Sequence, residues 1–214
     1  MDKSRIDDLG IITDRDTVAT TTDAWARDGW RVTHMASDAI PPTDAHALLL
    51  VALPPGAADA WLARWKRDTA PAASVVVALS PDTAVDPWAM IRRGWDDAAP
   101  LDDAVAAAAR WRPRTCALPR LEEVFGVTEV ARLSLGLRDR LAAALAILRM
   151  CDPADRATLA ETAHRLAGIC GILGFDDAGN LWRALAEARV VALPDVYRAT
   201  RLAVAAIDRH HAPR

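Results

Sequence analysis

Residues 163–174 decide how the second half of the chain is interpreted, and they read Ala-His-Arg-Leu-Ala-Gly-Ile-Cys-Gly-Ile-Leu-Gly. Large apolar residues recur around this stretch at Leu159, Leu166 and Leu173, a spacing typical of an amphipathic helix with one buried stripe. Because successive residues lie about 100° apart round a helix, His164 is about 160° from Leu166 and is predicted to point at solvent. The sequence therefore predicts an exposed histidine, bordered by small residues that leave its ring nitrogen accessible to a flat partner surface.

The spacing of this stretch resembles the phosphotransfer motif of histidine-containing phosphotransfer (HPt) domains. That motif reads His-x-x-Lys-Gly, then small residues, then Leu-Gly. Here Gly168 follows His164 at the family's glycine position, residues 173–174 supply the Leu-Gly, and Ala167 occupies the lysine position. The resemblance implies that His164 is the catalytic residue and accepts a phosphoryl group. The candidates for the phosphate environment are Arg165, Ala167, Gly168 and Gly171.

The missing lysine raises the question of which cation faces the phosphoryl group. In the family, that lysine lies three residues after the histidine on the same helical face, where it screens phosphate charge. Arg165 is the nearest cation in sequence, but it lies about 100° round the helix from His164. An arginine from the neighbouring helix is the alternative, and the candidates are Arg132, Arg138 and Arg140.

From about residue 118 onward the apolar pattern has a helical period and no strand pattern. Helices are predicted at 121–125, at 128–150 with Thr128 as cap, from Pro153 or Asp155 to Gly174, at 176–189 with Asp176 as cap, and from Pro194 onward. Long amphipathic helices with short connections predict an all-α antiparallel bundle. We assign residues 119–214 to this HPt-like bundle.

The first half instead alternates short apolar runs with helical patterns. The predicted strands are 10–13, 30–35, 47–53 and 74–79, and the predicted helices are 17–28, 57–66, 87–93 and 102–111, with Gly29 and Gly94 as stops. Strands alternating with helices predict an α/β domain with a parallel sheet covered on both faces. This domain is assigned to residues 1–112, and the proline-containing linker to residues 113–118.

This half resembles the flavodoxin-like receiver domain of response regulators over roughly 100 residues. The segment 94–101 is similar to the receiver's Gly-Ala-Asp-Asp-Tyr…Lys-Pro-Leu segment, in shortened form. The resemblance implies that Asp14 and Asp16 stand at the acidic pair that holds Mg²⁺ in receivers, and that Ser80 stands at the hydroxyl position. A solvated loop is the alternative interpretation for the two aspartates.

The acceptor aspartate of a receiver has no counterpart here. The strand at that position ends Leu-Val-Ala-Leu at residues 50–53, and the receiver's lysine position holds Ala99. We therefore interpret the first half as a pseudo-receiver, which binds or positions a partner and is not itself phosphorylated.

Composition narrows the function classes. The 214 residues carry a net charge of −3, which gives no electrostatic basis for binding nucleic acid or an anionic membrane. The apolar runs are far shorter than the roughly 20 residues of a membrane span. The cysteines at 116, 151 and 170 form neither a metal-binding spacing nor a disulfide framework, so a cytoplasmic protein without a metal site is predicted.

Two functions remain open from the sequence. The first is a phosphocarrier that moves a phosphoryl group on His164 between aspartates of receiver domains, in hybrid histidine kinases and response regulators. The resemblance implies no cofactor of its own, Mg²⁺ on the partner receiver, and a pseudo-receiver that serves docking, regulation or homodimer formation. The second is a non-catalytic adaptor that binds a kinase or a regulator. No nucleotide-binding glycine pattern or nucleophile motif favours an autonomous kinase.

Overall fold

A computed structural model describes residues 8–14, 22–41, 45–68, 73–113, 116–151 and 157–212, with the backbone alone at 68, 157 and 158. Asp16 and the predicted helix openings at Pro153 and Asp155 lie outside these ranges. The chain divides into two compact units, Met1–Pro113 and Arg114–Arg214.

The first unit is built on a sheet of five strands. They are β1 (Asp8–Thr13), β2 (Arg31–Met35), β3 (Leu48–Ala52), β4 (Val75–Ser80) and β5 (Asp97–Pro100). All neighbours pair in parallel, in the order β2-β1-β3-β4-β5. That order is the flavodoxin-like form of the doubly wound sheet. The predicted α/β unit with a parallel sheet is confirmed.

Strand β5 is absent from the strands that the sequence predicts. Its sequence is Asp-Ala-Ala-Pro, and these residue types are depleted in strands. Its conformation comes from pairing with β4, in which Val77 lies opposite Asp97. The buried Asp97 also accepts a hydrogen bond of 2.7 Å from the indole nitrogen of Trp111. Tertiary contacts therefore override a weak local preference.

The helices of this unit are α1 (Thr22–Arg27), α2 (Pro55–Asp68), α3 (Pro87–Arg92) and α4 (Ala104–Arg110). A 3₁₀ turn at Leu101–Asp103 precedes α4, where the sequence predicts helix from residue 102. The predicted stops are confirmed, because Gly29 and Gly94 follow their helices with φ of +86° and +103°. Every residue of β3 is buried, as expected for a central strand of a parallel sheet with helices on both faces.

The second unit is entirely helical within the described residues. Its helices are α5 (Leu118–Phe125), α6 (Val127–Met150), α7 (Ala157–Ile172), α8 (Asp176–Ala186) and α9 (Leu193–His211). Helix α7 packs between α6 and α8, α9 packs against α8 and α6, and α5 packs on α6. The prediction that this part of the chain is helical is confirmed for the described residues. None of the described helices has both the length and the apolarity of a membrane span.

Several predicted helix boundaries in this unit are wrong. Helix α6 begins before Thr128 and has Gly126 at its N-cap. Helix α8 begins at Asp176 itself with Phe175 as N-cap, and it ends at Ala186 instead of residue 189. Helix α5 starts at Leu118, inside the predicted linker. None of the N-cap residues of these three helices makes a side-chain capping hydrogen bond.

The turn between α7 and α8 is sharply defined. Gly174 has a φ of +76°, its N–H donates to the carbonyl of Gly171, and the N–H of Phe175 donates to the carbonyl of Cys170. These two bonds and the left-handed glycine form a Schellman motif, which ends a helix and satisfies its last carbonyls. The turn returns the chain as α8, which packs directly along α7.

The C-terminal histidines belong to the last helix and contact its neighbours. Helix α9 continues to His211. The Nε2 atom of His210 lies 2.8 Å from Oε1 of Glu122, and Nε2 of His211 lies 2.8 Å from Oγ of Ser134. Burial and the neighbouring His210 lower the pKa of His211. Contacts with α5 and α6 therefore hold a terminus that is polar in its local sequence.

Candidate functional site

His164 lies on the exposed face of α7. The stripe on the other side of the helix is buried and contains Leu159, Ala163, Leu166, Cys170 and Leu173. No described residue forms a hydrogen bond or an ion pair with the imidazole. The prediction that this histidine points at solvent is confirmed.

Two glycines leave the surface beside His164 open. Gly168 and Gly171 are exposed, and a Cβ built on either would meet no atom within 4 Å. They lie four and seven residues after His164, so all three share one face of α7. Packing against the described residues requires neither glycine, although each costs the helix about 1 kcal/mol relative to alanine. The bare backbone provides room for a flat surface to approach the imidazole.

Replacing Gly168 with alanine is expected to stabilise the second unit by about 0.5–1 kcal/mol, because it lowers the entropy of the unfolded chain without a clash. Urea unfolding followed by circular dichroism measures this change. Gly179→Ala is the matched control, since its Cβ would lie 3.3 Å from the carbonyl oxygen of Ala167. A destabilised Gly168→Ala variant would contradict the open surface described above.

Ala167 does not belong to this exposed surface. It is 6% exposed, because α8 approaches α7 closely at Gly179, which has no side chain to hold the helices apart. The place of position 167 in the phosphate environment stays a prediction, and the structure shows that its side chain is buried. Ala167 lies about 60° round α7 from His164 and packs into the bundle.

Three of the four arginines that the sequence suggests as partners for a phosphoryl group are paired with carboxylates. Arg165 is exposed and forms an ion pair with Glu161, one turn earlier on α7. On α6, Arg132 pairs with Glu129 at 2.6 Å, and Arg138 pairs with Asp208 of α9 at 2.9 Å. Arg140 is exposed.

Arg183, an exposed residue of α8, is not among the cations that the sequence pattern indicates. Its Nη1 atom donates a 2.8 Å hydrogen bond to Oδ1 of Asn180. Among the described residues it has no carboxylate partner. The sequence shows that Arg183 lies four residues after Gly179. It does not show that α8 is close to α7 at Gly179, which is the contact that brings Arg183 near α7.

Asp14 and Ser80 lie at the carboxyl edge of the sheet, where doubly wound proteins bind ligands. Asp14 directly follows β1 and is exposed, and Ser80 ends β4, where its Oγ accepts a 3.0 Å hydrogen bond from the N–H of Asp82. Between them, β3 is followed by Leu53, which is buried in the core. The residue directly after β3 is therefore apolar and faces the core.

Cys170, within the motif itself, is predicted to resist alkylation in the native protein. Burial raises the pKa of its thiol to about 12, and the thiolate is the reactive form. Iodoacetamide at pH 8 should therefore modify Cys116 and Cys151, which are partly exposed, well before Cys170. Peptide mass spectrometry measures the three rates, and urea is the control that should make them equal. Equal rates without urea would contradict the burial of Cys170.

Comparison with known proteins gives no relative from which the role of this surface could be transferred: no family model, no curated protein and no solved structure matches the chain.

Proposed function

We propose that this protein is a phosphocarrier of a two-component phosphorelay, with His164 as the residue that carries the phosphoryl group. A neutral imidazole is a nucleophile near pH 7. The lone pair of its unprotonated nitrogen forms the N–P bond while the P–O bond of an aspartyl phosphate breaks, and the aspartate leaves as a carboxylate. The reverse step passes the group to a second aspartate.

The observation that carries this proposal is the accessibility of His164. An exposed imidazole without an intramolecular partner among the described residues, beside two glycines that leave the helix surface bare, suits attack on a phosphorus atom held by another protein. Phosphoryl transfer asks a protein mainly for positioning and charge stabilisation. The HPt-like spacing of the motif and the bundle around it support the same role.

The partner in this proposal is a receiver domain, which would contribute the aspartate and Mg²⁺. The first unit would act in docking or regulation as a pseudo-receiver. Its flavodoxin-like strand order agrees with a receiver, and the buried Leu53 in place of a carboxylate agrees with the loss of phosphorylation. Treatment with acetyl phosphate should therefore give no acyl phosphate within residues 1–112. A hydroxylamine-sensitive phosphate in that region would contradict this role.

The proposal is tested by incubating the full chain with receiver domains carrying a labelled phosphoryl group. We expect a label on this chain that is stable to alkali and labile to acid, as a phosphoramidate is. Transfer that is unchanged in the His164→Gln variant would exclude His164 as the carrier.

A non-catalytic adaptor is the second candidate, and the burial of Ala167 favours it. The motif position that holds a cation in HPt domains is occupied here by a methyl group that faces the bundle. In this alternative the bare face of α7 binds a receiver but receives no phosphoryl group. Binding of a receiver without any label on His164 would favour the adaptor.

A further inference from the structure

Helix α8 lies alongside the face of α7 that borders His164. A Cβ built on Gly179 would lie 3.3 Å from both the carbonyl oxygen of Ala167 and the Cβ of Cys170, and 3.4 Å from the amide nitrogen of Gly171. Gly179 is therefore level with residues 167–171 of α7. His164 lies about 60° round α7 from Ala167, on the solvent side. The α7–α8 groove, formed by the solvent-exposed edges of these two helices, thus runs beside the imidazole.

Arg183 lies in this groove at the level of His164. The Schellman turn makes the two helices antiparallel, so one turn forward along α8 from Gly179 is one turn back along α7, to about residues 163–167. Arg183 is four residues after Gly179, which places it only about 40° round α8 from the line that faces α7. Trp182 and Leu185 are buried and lie on the other side of that line. Arg183 is therefore on the solvent-exposed side of the contact between the helices, which is also the side of His164.

The charge of Arg183 is available in this groove. Its hydrogen-bond acceptor, the side-chain amide of Asn180, is neutral. Neighbouring carboxylates are bound to other arginines, Glu161 to Arg165 and Glu187 to Arg189. A hydrogen bond to an exposed neutral amide is weak compared with one to a phosphoryl oxygen, so the guanidinium can exchange the first for the second.

We propose that Arg183 supplies the positive charge for the phosphoryl group on His164, in place of the side chain that Ala167 lacks. This inference rests on the proposed function. The guanidinium moves from Asn180 to the phosphoryl oxygens as the N–P bond forms, and it acts there as a positioning and charge-stabilising residue. Helix α6 also packs on α7, but two of its arginines, Arg132 and Arg138, are paired with carboxylates.

The test uses potassium phosphoramidate, which donates a phosphoryl group without a partner protein. The imidazole nitrogen forms an N–P bond, the P–N bond of the reagent breaks, and ammonia leaves. The rate of phosphorylation of His164 in the full chain is measured by intact mass for the wild type, Arg183→Ala, Arg183→Lys and Arg132→Ala. The last variant removes an exposed arginine of α6 and is the matched control.

We expect Arg183→Ala to slow phosphorylation about ten- to hundredfold, which is the effect of one lost charge contact. Arg183→Lys should restore most of the rate, and Arg132→Ala should leave it unchanged. Raising the salt concentration from about 0.05 to 0.5 M should slow the wild type toward Arg183→Ala, because salt screens the charge. A merely structural role would produce neither the lysine rescue nor the salt dependence.

Two outcomes would overturn the inference, and they are distinguishable. If the wild type is phosphorylated on His164 and Arg183→Ala reacts within about twofold of it, the inference fails while the phosphocarrier role stands. A twofold change is smaller than the effect of one charge contact. If the wild type takes no phosphoryl group on His164 from phosphoramidate or from phosphorylated receivers, both fail together.

Discussion

Replacing His164 with glutamine is expected to reduce phosphoryl acceptance from a phosphorylated receiver by at least about 100-fold, because an amide lacks the nucleophilic nitrogen of imidazole. The side chain is exposed and forms no hydrogen bond with any described residue. Its removal should therefore change the free energy of unfolding by less than about 0.5 kcal/mol. Label transfer and urea unfolding measured on one preparation separate chemistry from folding.

His34→Gln is the matched control for this experiment. His34 is an exposed histidine at the end of β2 whose ring lies 2.9 Å from Oγ1 of Thr22. It should transfer label at the rate of the wild type. Equal losses in the two variants would point to a general effect of losing a histidine, and would contradict a specific role for His164.

Replacing Trp182 with alanine is expected to destabilise the second unit by about 3–5 kcal/mol, the usual cost of removing a buried aromatic side chain. Trp182 is fully buried, and its indole nitrogen donates a 3.0 Å hydrogen bond to Oγ1 of Thr200 on α9. It therefore joins α8 to α9 in the centre of the bundle. Trp182→Phe keeps most of the apolar volume and should cost considerably less.

Hydrogen exchange locates this loss. Amides of α7, α8 and α9 should exchange faster in Trp182→Ala, while those of β1, β3 and β4 in the first unit should keep their protection. Because α8 carries Gly179 and Arg183, the α7–α8 groove should be disturbed as well, and label transfer to His164 should fall. Unchanged stability would contradict the central place of Trp182 in the packing.

The parts of the fold that follow from hydrophobic period are predicted well. The buried run of β3, the strand β4 and the long helix α6 have enough periodic residues to specify their type. Elements fixed by contacts distant in sequence are missed, such as β5, whose Asp-Ala-Ala-Pro sequence adopts a strand only beside β4. Contacts distant in sequence also hold His210 and His211 against α5 and α6.

The candidate site divides in the same way. The exposure of His164 follows from its position opposite the leucines of its own helix, so it can be predicted from the sequence. The burial of Ala167 depends on how closely α8 approaches, and that distance is set by Gly179, on the next helix along the chain. The local pattern therefore locates the histidine, whereas the neighbouring cation depends on a contact between helices that the pattern does not contain.

Tandem mass spectrometry that locates the phosphoryl group decides whether His164 carries it. The full chain is incubated with phosphorylated receiver domains and Mg²⁺ and digested under alkaline conditions that preserve phosphohistidine. We expect a single phosphoryl group in the peptide that spans residues 163–174, on His164. A phosphoryl group on another residue, or none on this chain while the receivers remain competent donors, would contradict it.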